Sequence, residues 1–327
     1  MNPTTLLVTG ACLMSSLAVA AESAPPAALQ TNASLGYGAK YQFVHVATNS
    51  DDDVSRVATS LVQTFGGITG PRGTFPSPPQ YTETVQMAYT PVGAVSTHHY
   101  PDDSALPDVV PVNGFAVKSD AGDALYDLSI ATFQAAGAQL LYRWEVKSAP
   151  SSPHQAILKW PGNVVTVAFG GPGTPTSFNS GFPRLGDESV PVTRLYRSID
   201  DALAFATALQ RAVDAKYTVT VRPLTGLGFG SPGVYKDISI ESTVGNYEVI
   251  ALPGKNLLAT HPDIARIQSS YLVRSLPDVL RKAVAAQASI TRRYYSRQYH
   301  ADAAIVAFPG GYYAEVVQIA PHTGTMH

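Results

Sequence analysis

Cysteine is almost missing from this sequence: Cys12 is the sole thiol among 327 residues. A disulfide framework and a multi-cysteine metal site are therefore excluded. Charge is also scarce, at 14% of residues with a formal net charge of −2. No basic stripe exists to neutralise a nucleic-acid backbone, so nucleic acid is not an expected partner. Beyond the N-terminus, no run reaches the roughly 18 apolar residues that a helical membrane span needs. The glycine-rich stretches "GGPGTPTS" and "GLGFGSPG" lack the strand–loop–helix setting and the lysine of a phosphate loop. They read as turns.

What is present describes a globular chain. The hydrophobic fraction is 45%, and 327 residues most simply make two domains. The apolar stretch from Leu6 to Val19 ends in Ala18-Val19-Ala20, the small-x-small pattern of a signal-peptide cleavage site. A signal peptide over residues 1–21 is expected, followed by a flexible Ala/Pro/Ser/Gly-rich leader over 22–37. The mature protein would then be secreted or periplasmic and free of cysteine. The alternatives are a buried N-terminal helix, or a lipid on Cys12.

The rest of the chain repeats itself. "YQFVHVATNS" alternates like a strand. In "DDDVSRVATSLVQTFGG", Val54, Val57, Ala58, Leu61, Val62 and Phe65 recur at helical spacing, and Gly66–Gly67 closes the helix. "TETVQMAYTPVGAVSTHHYP" reads as two strands about a turn at Gly93. The same order of strand, helix and about three strands returns three times, from "VNGFAVKS", "PVTRLYRS" and "DIARIQSSYLV". A Gly/Pro/Ser-rich linker, 171–187, separates the second unit from the third. The expectation is an N-terminal unit pair over 38–170 and a C-terminal pair over 188–322, separable by proteolysis.

The last unit ends in "FPGGYYAEVVQIAP", where a Gly-Gly turn precedes a strand carrying Glu315. Period-two alternation puts Glu315 on the face of Tyr313 and Val317. An acid there is either a satisfied structural group or a ligand. This βαβββ unit, with its Gly turn, its Glu-bearing closing strand and the "FVHVAT" opening strand, resembles the vicinal oxygen chelate superfamily. That superfamily includes glyoxalase I, bleomycin-resistance proteins and extradiol dioxygenases. The resemblance implies an α+β fold in which four βαβββ modules pair into two open barrels. It also implies a divalent metal (Mn, Mg, Fe or Zn) held by first and last strands, and a small organic molecule in a barrel cleft.

Carried onto this sequence, the resemblance gives His45 in the first barrel, with Thr97 at the closing-strand position and His98 and His99 beside it. The second unit has Gly114 or Ala116, and Thr166, where ligands are expected. In the C-terminal barrel it gives Glu315 and Glu248 as ligands and catalytic candidates, with Gln268 or Ser270 at the fourth unit's opening position and Gln268 the preferred third ligand. The opening strand of the third unit offers Thr193 or Arg194. Arg194 or Arg266 beside the glutamates would instead satisfy them as ion pairs, without metal. Two functions remain open. One is a metal-dependent lyase, isomerase or dioxygenase, and the other is a non-catalytic small-molecule binder. "RRYYSRQY" at 292–299 reads as a solvated segment before the last strands, and no organic cofactor site is evident.

Overall fold

The computed structural model describes residues 37–77, 81–100, 110–118, 123–145, 154–171, 192–230, 232–254, 256–296 and 299–318. The expected signal peptide with Cys12, the leader up to residue 36 and the linker from residue 172 lie outside the described residues.

Four modules follow one another. The first comprises β1 (Tyr37–Thr48), α1 (Asp51–Phe65), β2 (Ile68–Thr69), β3 (Gly73–Ser77), β4 (Tyr81–Thr90) and β5 (Gly93–His99). The second comprises β6 (Asn113–Lys118), α2 (Ala124–Ala135), β7 (Gln139–Glu145), β8 (His154–Trp160) and β9 (Val164–Gly171). The third runs through β10 (Val192–Tyr196), α3 (Ile199–Val213), β11 (Lys216–Pro223), β12 (Val234–Glu241) and β13 (Asn246–Ala251). Two short helices, α4 (Asn256–Thr260) and α5 (Pro262–Ala265), lead to the fourth. That module holds β14 (Ile267–Val273), α6 (Leu276–Ala285), β15 (Ser289–Ser296), β16 (Ala301–Ala307) and β17 (Tyr313–Gln318).

The repeat has a local chemical cause. Three module helices open on Ser-x-x-Asp: Ser50, Ser198 and Ser275 each accept the backbone N–H of the aspartate three residues on, at 3.2, 3.1 and 3.4 Å. The Ser50 and Ser198 hydroxyls donate back to Asp53 and Asp201 at 2.8 and 2.7 Å. Each cap satisfies an otherwise orphaned helix N–H and stabilises the start by about 1 kcal/mol. The face of α1 then buries Val54, Val57, Ala58, Leu61 and Phe65, as the helical spacing predicts.

The strands form two mixed sheets, neither closed. One takes the order β2-β4-β5-β1-β6-β9-β8-β7, with β3 on β4, and the other the order β11-β12-β13-β10-β14-β17-β16-β15. In each, the first strands of two modules pair antiparallel at the centre, β1 with β6 and β10 with β14. Each of these also runs parallel to its own module's last strand. Four strands that begin or end modules therefore lie side by side, which is what brings distant ligand positions onto one concave face.

The two halves share core clusters through their helix faces. One core cluster joins Tyr126, Ile130 and Phe133 of α2 to Phe205, Leu209 and Val213 of α3. Another joins Val57, Leu61 and Phe65 of α1 to Leu276, Val279 and Leu280 at α6. The apolar helix faces of the first module thus cover those of the fourth, and the second covers the third. Hydrogen bonds follow the same route: Ser60 Oγ donates to Ala286 O at 2.7 Å, and Tyr247 OH donates to Asn113 Oδ1 at 2.9 Å. Gly310 shows why "PGG" precedes the last strand. Its φ is 80°, and an added Cβ would lie 2.7 Å from Val57 Cγ2, so only glycine fits the turn against α1.

Candidate functional site

Parity of the strands decides which side chains meet. In the second sheet, β10 and β13 pair Arg194 with Glu248, and β14 and β17 pair Ser270 with Glu315. The β10–β14 pairing of Val192 with Ser270 brings these two pairs together across the sheet centre. All four side chains project onto one face and are 1–3% exposed. Arg194 lies between the acids. Its Nη2 is 2.6 Å from Glu248 Oε2 and 2.5 Å from Glu315 Oε2, and its Nε donates to Glu248 Oε2 at 2.8 Å.

Neighbouring strands complete the cluster. Ser270 Oγ donates to Glu315 Oε2 at 2.8 Å, and Tyr294 on β15 donates to Glu315 Oε1. On β12, Asp237 accepts from Arg222 Nε at 2.6 Å. Burial works against charge on Arg194, but Glu248 and Glu315 outweigh it and hold the guanidinium above its ordinary value. Burial, chiefly, pushes Glu248 up from 4.5 to about 7, with Arg194 pulling it back and Asp237 and Glu315 adding to the rise. Burial likewise raises Asp237, against Arg222. Three carboxyl groups share two guanidinium groups here, so one proton retained near neutrality balances the charge.

Several polar atoms in and around this cluster have no hydrogen-bond partner: Arg194 Nη1, Glu248 Oε1, Asp237 Oδ1 and Tyr235 OH. A buried polar group without a partner costs about 1–3 kcal/mol, which a bound molecule or water would relieve. Glu315 differs from Glu248, because both its oxygens are engaged.

The structure therefore brings Glu248 and Glu315 together and sets Arg194, rather than Thr193, between them. Arg266 is elsewhere: its guanidinium carbon sits 5.5 Å from the Tyr313 ring centre. Gln268 lies at a register shift in β14, and Ser270, two residues on, is the side chain that meets Glu315. Gln268 Oε1 is itself buried without a partner. His45 belongs to the other sheet and cannot join these carboxylates.

In the first sheet, β1 pairs His45 with Ser96 and Ala47 with His98, so Ser96 and His98 share the face of His45. Thr97, expected at the closing-strand position, points to the helix layer, where its hydroxyl donates to Val54 O at 3.0 Å and Gln86 O at 2.8 Å. Thr166 is likewise occupied away from the concave face, accepting from Trp160 Nε1 at 2.9 Å. Gly114 is glycine because the Phe43 ring rests on it: an added Cβ would meet that ring at 2.2 Å.

A divalent metal fits neither face as the side chains stand. Among the described residues no group of three or more His, Cys, Asp or Glu is arranged to hold one. Between Glu248 and Glu315, a guanidinium supplies the positive charge.

Sequence reasoning offered Ser270 as the alternative to Gln268 and passed over Asp237, Arg222 and Tyr294. Tyr294 was legible in principle, since "TRRYYS" alternates and β15 buries every second residue in part.

Comparison with known proteins agrees with this architecture. No family model matches the chain, and no curated protein matches it. Among solved structures, a mutant of 4-hydroxymandelate synthase from Streptomyces coelicolor overlays with a TM-score of 0.55 at 13% identity, covering 88% of this chain and 94% of that one. The 2,3-dioxygenase LapB from Pseudomonas sp. KL28 gives 0.47 at 12% identity, covering 86% and 93%. The fold assignment rests on the first of these and on the module order. The chain thus shares its fold, four βαβββ modules paired into two open sheets, with 4-hydroxymandelate synthase.

Proposed function

We propose that the protein binds a small organic molecule on the concave face of its second sheet, using an Arg194–Glu248–Glu315 charge cluster in place of a metal. The observation that carries this reading is the position of Arg194, whose Nη2 reaches both carboxylates within 2.6 Å. The unpartnered Arg194 Nη1 offers a donor and Glu248 Oε1 an acceptor to the bound molecule. The chemistry such a pair supports is proton transfer, as in an isomerase or lyase. Glu248 is the proton carrier, because its pKa of about 7 matches a group that must both hold and release a proton near neutrality. Glu315, fixed by three partners, holds Arg194 in place.

A second reading has its own support. Glu248 Oε1 is buried and unpartnered beside Glu315, and paired carboxylate oxygens suit a hard divalent cation. It requires Arg194 to leave the carboxylates. Metal analysis of protein purified without chelator separates the two. The ligand search itself is a thermal-shift screen of small hydroxylated and keto compounds on wild type and Glu248→Gln. A compound that stabilises only the wild type supports the cluster as the binding site, whereas equal shifts in both would overturn it. A ligand that binds and is never converted would reduce the reading to binding alone. Export of the mature chain is part of the proposal and rests on the Leu6–Ala20 segment.

A further inference from the structure

The first sheet carries a second polar cluster that the C-terminal reading does not use. His45 and His98 stack with ring centres 3.5 Å apart and planes 12° from parallel. His98 Nδ1 is 2.9 Å from Glu83 Oε2, and its Nε2 is 2.6 Å from Ser96 Oγ. His45 Nε2 is 2.9 Å from Tyr100 OH. Burial and the nearby Glu83 carboxylate raise the pKa of Tyr100, so its hydroxyl keeps its proton. With that proton turned toward Glu83, the phenol oxygen accepts from His45 Nε2–H. In that tautomer Nδ1 of His45 carries a bare lone pair. His45 is 6% exposed, and this Nδ1 has no hydrogen-bond partner.

The surroundings of that lone pair are apolar and flat. His45 shares its strand face with Phe43, whose ring lies 5.5 Å from that of Phe169. With them stand the small side chains Ala94 and Ala116, and the half-buried Met87, Tyr89 and Trp144 pack against the group. Trp144 Nε1 is a second buried polar atom without a partner. Two buried polar atoms without partners beside this apolar cluster are what a ligand's own polar group would satisfy.

We propose that the concave face of the first sheet is a second binding site, for a flat apolar molecule carrying a hydrogen-bond donor that His45 Nδ1 accepts. Phe43, Phe169 and Trp144 supply the stacking surface. Glu83 acts through Tyr100 and His98 as a positioning residue, holding His45 with Nδ1 free. This site does not depend on the C-terminal reading, and either can fail without the other.

The test uses two flat probes of like size on the whole protein at pH 6, 4-nitrophenol with its hydroxyl intact and 4-nitrotoluene without one. Both quench tryptophan emission. Saturable quenching by 4-nitrophenol is expected, with 4-nitrotoluene about tenfold weaker, the difference one buried hydrogen bond makes. His45→Phe should bring the two probes to equal affinity, and Trp144→Phe should remove most of the quenching while calorimetry still detects binding. Equal affinities on the wild type, or quenching that never saturates, would overturn the proposal. Should His45→Phe fail to fold by circular dichroism, amide shift changes on the wild type decide. Shifts confined to residues 43–45, 94–98 and 144 support the site, and shifts confined to residues 192–318 refute it.

Discussion

Replacing Arg194 with methionine is the most informative perturbation. Its side chain is fully buried, as are Glu248 and Glu315, so the change leaves two acids facing each other without their cation. Breaking a buried ion pair by removing one partner typically costs about 3–5 kcal/mol. Here one guanidinium serves two carboxylates, which places the expected loss at the upper end near pH 8. The pH dependence sharpens the test. Glu248 keeps its proton to about pH 7 in the folded protein, whereas its ordinary value is 4.5. The folded state therefore binds more protons between those values, and this group's contribution is full below pH 4.5 and lost as pH rises through 7. A displacement of that size corresponds to roughly 3 kcal/mol. Arg194→Met should lose most at pH 8 and least at pH 5, where Glu248 keeps its proton and needs no cation. Urea unfolding of both proteins at pH 5 and pH 8, in EDTA, measures this. A variant within about 1 kcal/mol of wild type at pH 8 would refute the argument.

Other outcomes follow from the packing. Gly114→Ala pushes a methyl into the Phe43 ring and should destabilise the protein by about 1–3 kcal/mol in thermal or urea melts. A cut between residues 172 and 187 should leave the two halves associated on size exclusion under native conditions, because the clusters that join α1 to α6 and α2 to α3 span both halves. Two independent peaks would contradict that packing. The intact mass of exported protein should correspond to an N-terminus at Ala21 or Glu22, whereas a retained Met1 or a lipid on Cys12 would overturn the reading of the leader.

Much of this architecture was legible because the signals are periodic. The α1 face follows from six apolar residues at helical spacing, and Glu315 and Glu248 follow from strands announced by Gly turns. The choice between Thr193 and Arg194 was not legible, since a one-residue slip reverses a strand's faces and no local signal fixes the start of β10. The first sheet shows the same limit. Counting four residues from Gly93, as from Gly311 to Glu315, gives Thr97. The parallel ladder with β1 instead pairs His45 with Ser96, three residues on, the spacing that Gly245 and Glu248 show. Asp237, Arg222 and Tyr294 sit on flanking strands, at positions that no turn or spacing in the sequence ties to the centre. Glu83 and Tyr100 reach His45 and His98 in the same way, through contacts that have no sequence spacing of their own.

The central claim is that a guanidinium, not a metal, supplies the positive charge between Glu248 and Glu315. Elemental analysis of the full chain, purified without chelator or added metal, tests it most directly. The account predicts far less than one equivalent of Mn, Fe, Zn or Mg, and a melting temperature unchanged by EDTA or by added Mn²⁺. One equivalent of a divalent metal, with a melt that falls when EDTA removes it and is no longer metal-dependent in Glu315→Gln, would contradict it.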